Sequence, residues 1–114
     1  MGAVTVLLYC GLYNQNNTIK SIVLDSPFSS LKKLAKDHIK DKINLLVDSA
    51  FSMINTTVQN KAGFNMEDVS PIRYLKNIKN VPAFFITASN DKVVNNDHVK
   101  RLYKKYHGEK CLFV

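Results

Sequence analysis

Val81-Pro82-Ala83-Phe84-Phe85-Ile86-Thr87-Ala88-Ser89-Asn90-Asp91-Lys92-Val93-Val94 is a short apolar run that stops abruptly in a polar turn carrying one acid, Asp91. Bounded by Pro82 before and Ser89-Asn90 after, the run suits a strand covered on both faces, as the strands of a parallel sheet are. Open sheets of that kind collect ligands and chemistry at the carboxyl ends of their strands. Asp91 falls at such an end. The alternative is local: Asp91 caps the helix that follows, or turns the chain through an Asx-type hydrogen bond.

Upstream, Ile19-Lys20-Ser21-Ile22-Val23-Leu24-Asp25 reads as another strand and runs into the turn-rich Asp25-Ser26-Pro27-Phe28-Ser29-Ser30. Ser29 or Ser30 then suits the N-cap of a helix whose apolar positions, Leu31, Leu34, Ala35, Ile39, Ile43, Leu46, Val47, Ala50, Phe51 and Ile54, keep helical spacing. Residues 55–68 show no period and contain Gly63, so a loop is expected there. Ser70-Pro71 opens a short helix with Ile72, Leu75 and Ile78 inward. Downstream, residues 95–106 form a helix with Val99, Leu102 and Tyr103 inward, Gly108 breaks it, and Lys110-Cys111-Leu112-Phe113-Val114 starts a third strand. At the other end, residues 2–13 are apolar almost all round a helical wheel, which predicts a buried helix. Gly2 and Ala3 predict a close approach of its start to another backbone. The alternation predicts an α/β fold with parallel strands joined by right-handed crossovers.

A chain of 114 residues supports one domain and is too short for two. The net charge of +7 comes almost wholly from Lys, spread from Lys20 to Lys110. A nucleic-acid reader clusters its charge, uses more Arg and interleaves aromatics on one face, so no nucleic-acid partner is expected. Cys10 and Cys111 lie in apolar runs without metal-ligand spacing, which points to reduced, buried thiols and a cytoplasmic protein. The apolar start lacks the basic flank of a signal peptide and the length of a membrane span, and Val6 stands where a myristoylation motif wants Ser or Thr. No integral membrane segment is expected, with peripheral association of a complete protein left open. His38, beside Asp37 on a helix, reads as a surface residue. Asp25 and Asp91 as a metal or acid pair lack a supporting ligand cluster.

Ser70-Pro71, Leu75, Ile78, Val81-Pro82, the apolar strand and Asn90-Asp91-Lys92-Val93-Val94 together resemble the carboxyl part of the α/β-hydrolase superfamily. In that family the acid of a Ser-His-Asp triad follows the seventh strand, and Asp91 matches it. The preceding strand ends in a loop like Leu24-Asp25-Ser26-Pro27-Phe28, and Met1-Gly2-Ala3 resembles the tail of the Gly-x-Ser-x-Gly elbow. The resemblance implies a single incomplete α/β-hydrolase domain over residues 1–114, with parallel strands near 19–25, 82–88 and 110–114 and flanking helices. It places the nucleophilic Ser immediately before Met1, gives the Met1 backbone N–H to the oxyanion hole, and puts the triad His just after Val114. His107 precedes the last strand and His98 lies off the family's position. A small-molecule ester, thioester or peptide substrate is implied for the complete protein, with no cofactor and no metal. Residues 50–66, where such folds often insert cap elements, are too few for a large lid.

A hydroxyl becomes a nucleophile when an imidazole takes its proton, and a carboxylate orients that imidazole and stabilises the imidazolium. Asp91 alone supplies only the last part, so the chain by itself is expected to lack triad activity. The alternative from another class is a non-catalytic α/β module or degenerate hydrolase used for protein interaction. A self-sufficient module would stay monomeric and unfold cooperatively, whereas a fragment would expose apolar surface.

Overall fold

Three strands of four residues, β1 (Ile22–Asp25), β2 (Ala83–Ile86) and β3 (Lys110–Phe113), pair in parallel in the order β1-β2-β3 in the computed structural model of the chain. The structure describes residues 1–14, 16–40 and 47–114, with residues 47 and 48 by backbone alone. They divide into two compact units, one made of Met1–Ser29 with Pro71–Val114, the other of Ser30–Ser70. The chain is thus of mixed α/β class, and each expected strand is present in shortened form.

In the sheet-bearing unit, α1 (Gly2–Leu12) and α4 (Asn96–Lys105) pack with Ile22, Leu24, Ala83 and Phe85 through Leu7, Cys10, Val99 and Leu102. Phe85 is fully buried and meets Tyr103 and Tyr106 edge-on, with ring centroids 5.7 and 5.6 Å away. The Tyr106 hydroxyl donates to the Val81 carbonyl just before β2, so the phenol is both buried and partnered. Two short 3-10 turns, Pro71–Arg73 and Leu75–Asn77, stand where a short helix was expected, and they deliver Leu75 to the same core.

Three expectations about burial need correction. β2 is covered on one face only: Ala83 and Phe85 are buried, while Phe84 is 37% exposed. In register with Phe84 lie Val23 and the exposed Cys111, and Phe113 pairs with Ile86 one pleat on. Among the described residues no element of this unit packs on that face, so Cys111 is not a buried thiol, whereas Cys10 is. The α1 helix likewise buries Val4, Leu7, Cys10 and Gly11 and leaves Thr5, Tyr9 and Leu12 exposed. Its uniformly apolar wheel could not show which stripe would find a partner.

The close approach of α1 to another backbone occurs at Gly11, not at its start. A Cβ on Gly2 would meet nothing within 4 Å, but one on Gly11 would lie 2.7 Å from the Tyr74 Cβ and 2.9 Å from the Tyr74 carbonyl oxygen. Asn77 Nδ2 donates to the Gly11 carbonyl at 3.1 Å, fixing the helix against the second 3-10 turn.

In the other unit, Ser30 is the N-cap of α2 (Leu31–Lys40), its hydroxyl accepting from the Lys33 amide at 3.3 Å. α3 (Val47–Ala62) runs through residues 55–62, where a loop was expected, and stops at Gly63 with a positive φ of 74°. That stretch has no apolar period because nearly all of it faces solvent; Thr56 and Thr57 bond back to the Ser52 and Met53 carbonyls. Phe51 is buried beside the Lys32 and Lys36 ammonium groups, each 5.5 Å from its ring centre. Lys32–Glu67 and Lys33–Asp37 form ion pairs in the same unit. The expected positions Ile43 and Leu46 lie outside the described residues, as does the Val47 side chain.

Substituting the two α1 glycines separates packing from propensity. Gly11→Ala is expected to lose about 1–3 kcal/mol to overpacking, offset by ~1 kcal/mol of helix propensity, for a net loss of about 0–2 kcal/mol. Gly2→Ala is expected to be neutral or slightly stabilising, and urea unfolding midpoints of the two variants check the contrast.

Candidate active site

Beyond Leu24 the chain leaves β1 through Asp25 and turns at Ser26, whose φ of +48° is uncommon for a residue with a side chain. Two hydrogen bonds hold that conformation. The Ser26 amide continues the parallel ladder to the Ile86 carbonyl at 2.9 Å, and its hydroxyl donates to Asp25 Oδ1 at 2.9 Å. Pro27, Phe28 and Ser29 then dive into the interior. Such strain at the carboxyl end of a strand is characteristic of functional sites, provided the surroundings enforce it.

Ser29 anchors this loop to α4. Its amide N–H and its hydroxyl both approach His98 Nδ1, at 3.2 and 2.9 Å, and its carbonyl accepts from the Ile72 amide at 3.3 Å. An amide nitrogen can only donate, so Nδ1 acts as the acceptor and the neutral ring carries its hydrogen on Nε2, a tautomer assigned by the partner. His98 is fully buried and Ser29 is 2% exposed. A substrate cannot reach that hydroxyl, so the pair is a brace rather than an exposed nucleophile and base.

The loop after β2 carries Asp91. Thr87 is buried and its amide donates to the Phe113 carbonyl at 3.0 Å, after which residues 88–90 are exposed. Asp91 Oδ1 accepts from the Val93 amide at 2.8 Å and the Val94 amide at 2.9 Å. This is the Asx-type turn, one of the two local roles expected for it. The other, helix capping, belongs to Asn95, whose side chain accepts from the Asp97 amide at 3.0 Å at the start of α4. The Val94 and Val93 amides hold the Asp91 carboxyl below the usual carboxylate range; burial opposes them and the Ser26 hydroxyl assists. One oxygen serves the turn, and a carboxylate has acceptor capacity to spare.

The structure therefore brings together the loops after β1 and β2, with Ser26 beside Asp91 and Ser29 locked to His98. Met1 is the N-cap of α1, its carbonyl accepting from the Thr5 amide at 3.0 Å. No hydrogen bond joins Met1 to Asp91 among the described residues. His38 is exposed on α2 and His107 is exposed ahead of β3. Among the described residues no three of His, Cys, Asp and Glu stand together as metal ligands would, and no helix is long and apolar enough to cross a membrane.

No protein-family model matches the chain, and no solved structure matches it. It is similar to the uncharacterized protein YqkD of Bacillus subtilis (strain 168), with 25% identity over all 114 residues. The match covers 37% of YqkD, so the chain spans little more than a third of that relative's length.

The residue pair that sequence reasoning missed is Ser29 with His98. His98 shares the inward stripe of Val99 and Leu102 on α4, which signals a buried imidazole in need of a polar partner. His98→Leu would keep the volume and strand the Ser29 amide and hydroxyl, at about 1–3 kcal/mol for an unsatisfied buried group. Urea unfolding checks this.

Asp91 also sets a pH dependence. Its folded pKa is depressed, so its contribution is present above the unfolded carboxyl value of about 3.9 and is lost as pH falls through the folded value. Its partial exposure keeps the effect modest. Unfolding midpoints measured from neutral to strongly acidic pH should fall less steeply for Asp91→Asn than for the unaltered chain.

Proposed function

We propose that residues 1–114 are part of a serine hydrolase of the α/β-hydrolase type, in which Asp91 is the acid of a Ser-His-Asp triad acting on an ester, thioester or peptide. The observation that carries this reading is Asp91 itself. It is a carboxylate kept ionised by two backbone amides, in the loop that follows a central parallel strand. A triad acid must remain charged while it holds an imidazole, and amide donors aimed at one oxygen achieve that without neutralising the other. The brace between Ser29 and His98 supports the role, because it fixes the neighbouring loop on which Ser26 meets Asp91.

In this reading the nucleophilic Ser and the triad His belong to polypeptide beyond residues 1–114. The Met1 amide, at the head of α1, serves the oxyanion hole. The sequence of the transcript across both ends of this frame is then expected to hold Gly-x-Ser immediately before Met1 and a His shortly after Val114. A stop or unrelated sequence at either end would remove the triad.

The competing possibility, a non-catalytic α/β module, draws on the open sheet face, where Val23 and Phe113 are 64% and 63% exposed. Activity separates the two. The complete protein should react with a fluorophosphonate at one Ser and cleave p-nitrophenyl esters. Asp91→Asn should lower kcat by about 10⁴ while leaving the fold intact. Unlabelled Ser, or turnover unchanged in Asp91→Asn, would favour the module.

A further inference from the structure

The lysines that look scattered along the sequence do not all stay apart in the fold. Arg73 and Lys76, from the two 3-10 turns, and Lys104 and Lys105, from the last turn of α4, line one open cavity of about 820 Å³ with His107. Ile72 and Leu75 supply its apolar wall. Among the described residues no Asp or Glu lines it, and none of the four cations has an ion pair. All four are exposed.

Lysines in the last turn of a helix ordinarily answer to its negative end. Here that task is already taken. Lys110 Nζ donates to the Tyr103 carbonyl at 2.8 Å and the Tyr106 carbonyl at 2.7 Å, and it sits 4.9 Å from the centre of the Tyr103 ring. Lys104 and Lys105 have neither a carbonyl nor a carboxylate partner among the described residues. Four like charges around one concavity repel one another and favour a bound counter-charge.

The cavity draws its lining from the 3-10 turns that precede β2 in the chain, from the end of α4 and from His107 ahead of β3. Neither Asp91 nor Ser26 lines it, and among the described residues its one hydrogen bond to the loop after β1 runs from the Ile72 amide to the Ser29 carbonyl.

We infer that this cavity is a binding site for a compact anion bearing several phosphate groups. Four separate cations suit an anion of several charges better than a single sulfate, and Arg73 offers a planar fork for a phosphate while the lysines act as point charges. A concave wall with an apolar side admits a small molecule or a protruding headgroup, not a flat bilayer surface. The phosphates can come from a free polyphosphate or from a phosphorylated lipid headgroup, and the same chemistry recognises both.

Titration of the chain with inorganic tripolyphosphate, followed by calorimetry and by NMR shifts of His107 and the Arg73 side chain, tests the inference. Saturable binding is expected, weakened at least tenfold in the Arg73→Gln/Lys104→Gln double variant. It should be essentially unchanged in Lys20→Gln/Lys61→Gln, which removes the same charge elsewhere. All four positions are exposed, and circular dichroism confirms that each variant is folded. Vesicles containing a phosphorylated inositol lipid form the second arm. Capture of the chain that tripolyphosphate competes away assigns a lipid headgroup, and tripolyphosphate binding without capture assigns a free polyphosphate. Absence of binding in both arms, equal weakening in the two double variants, or equal competition by sulfate at matched ionic strength overturns the site.

Discussion

The sheet-bearing unit depends on one packed layer, the contact of Leu24 and Phe85 with α1 and α4. Phe85 meets Tyr103 and Tyr106 edge-on, Leu7 and Cys10 close the layer from α1, and Leu75 arrives from the 3-10 turns. Burial of each large side chain contributes roughly 1.5–3 kcal/mol. That stabilisation tolerates an unfavourable backbone at Ser26, where the chain leaves β1. The same layer explains why both helices lie on one face: the buried alternation of β1 and β2 points every core side chain the same way.

Tethers between neighbouring loops then fix the candidate site on that layer. Ser29 ties the loop after β1 to α4 through His98, and the Asx turn of Asp91 hands the chain to the Asn95 cap of the same helix. The loop that carries the acid and the loop that carries Ser26 are thus referred to one rigid element. A small displacement of α4 would move both.

Local features were legible in the sequence because they are decided by a few consecutive residues. The apolar run of β2, the polar stop after it and the turn chemistry of Asp91 belong to this kind, and so does the Ser30 cap. Features joining distant residues were not. Ser29 and His98 lie 69 residues apart, and nothing in the spacing of either announces the other. The clustering of Arg73, Lys76, Lys104 and Lys105 is hidden for the same reason, since their spacing reads as scatter until two elements meet. The helix over residues 55–62 escaped because a helix facing solvent shows no apolar period. The one-sided burial of β2 escaped because an apolar run looks alike whether one face or both are covered.

Gly11 carries a consequence for how this sequence can drift. The atoms that obstruct a side chain there are the carbonyl oxygen and the Cβ of Tyr74. Every residue has the first and all but glycine have the second, so no exchange at position 74 can fully make room for a larger residue at position 11. A replacement there could be rescued only by moving α1 or the 3-10 turns as bodies, which would disturb the Leu75 contact at the same time. Position 11 is therefore tied to a backbone path rather than to a neighbour's identity, and homologues that keep this path should keep glycine even where Tyr74 has changed.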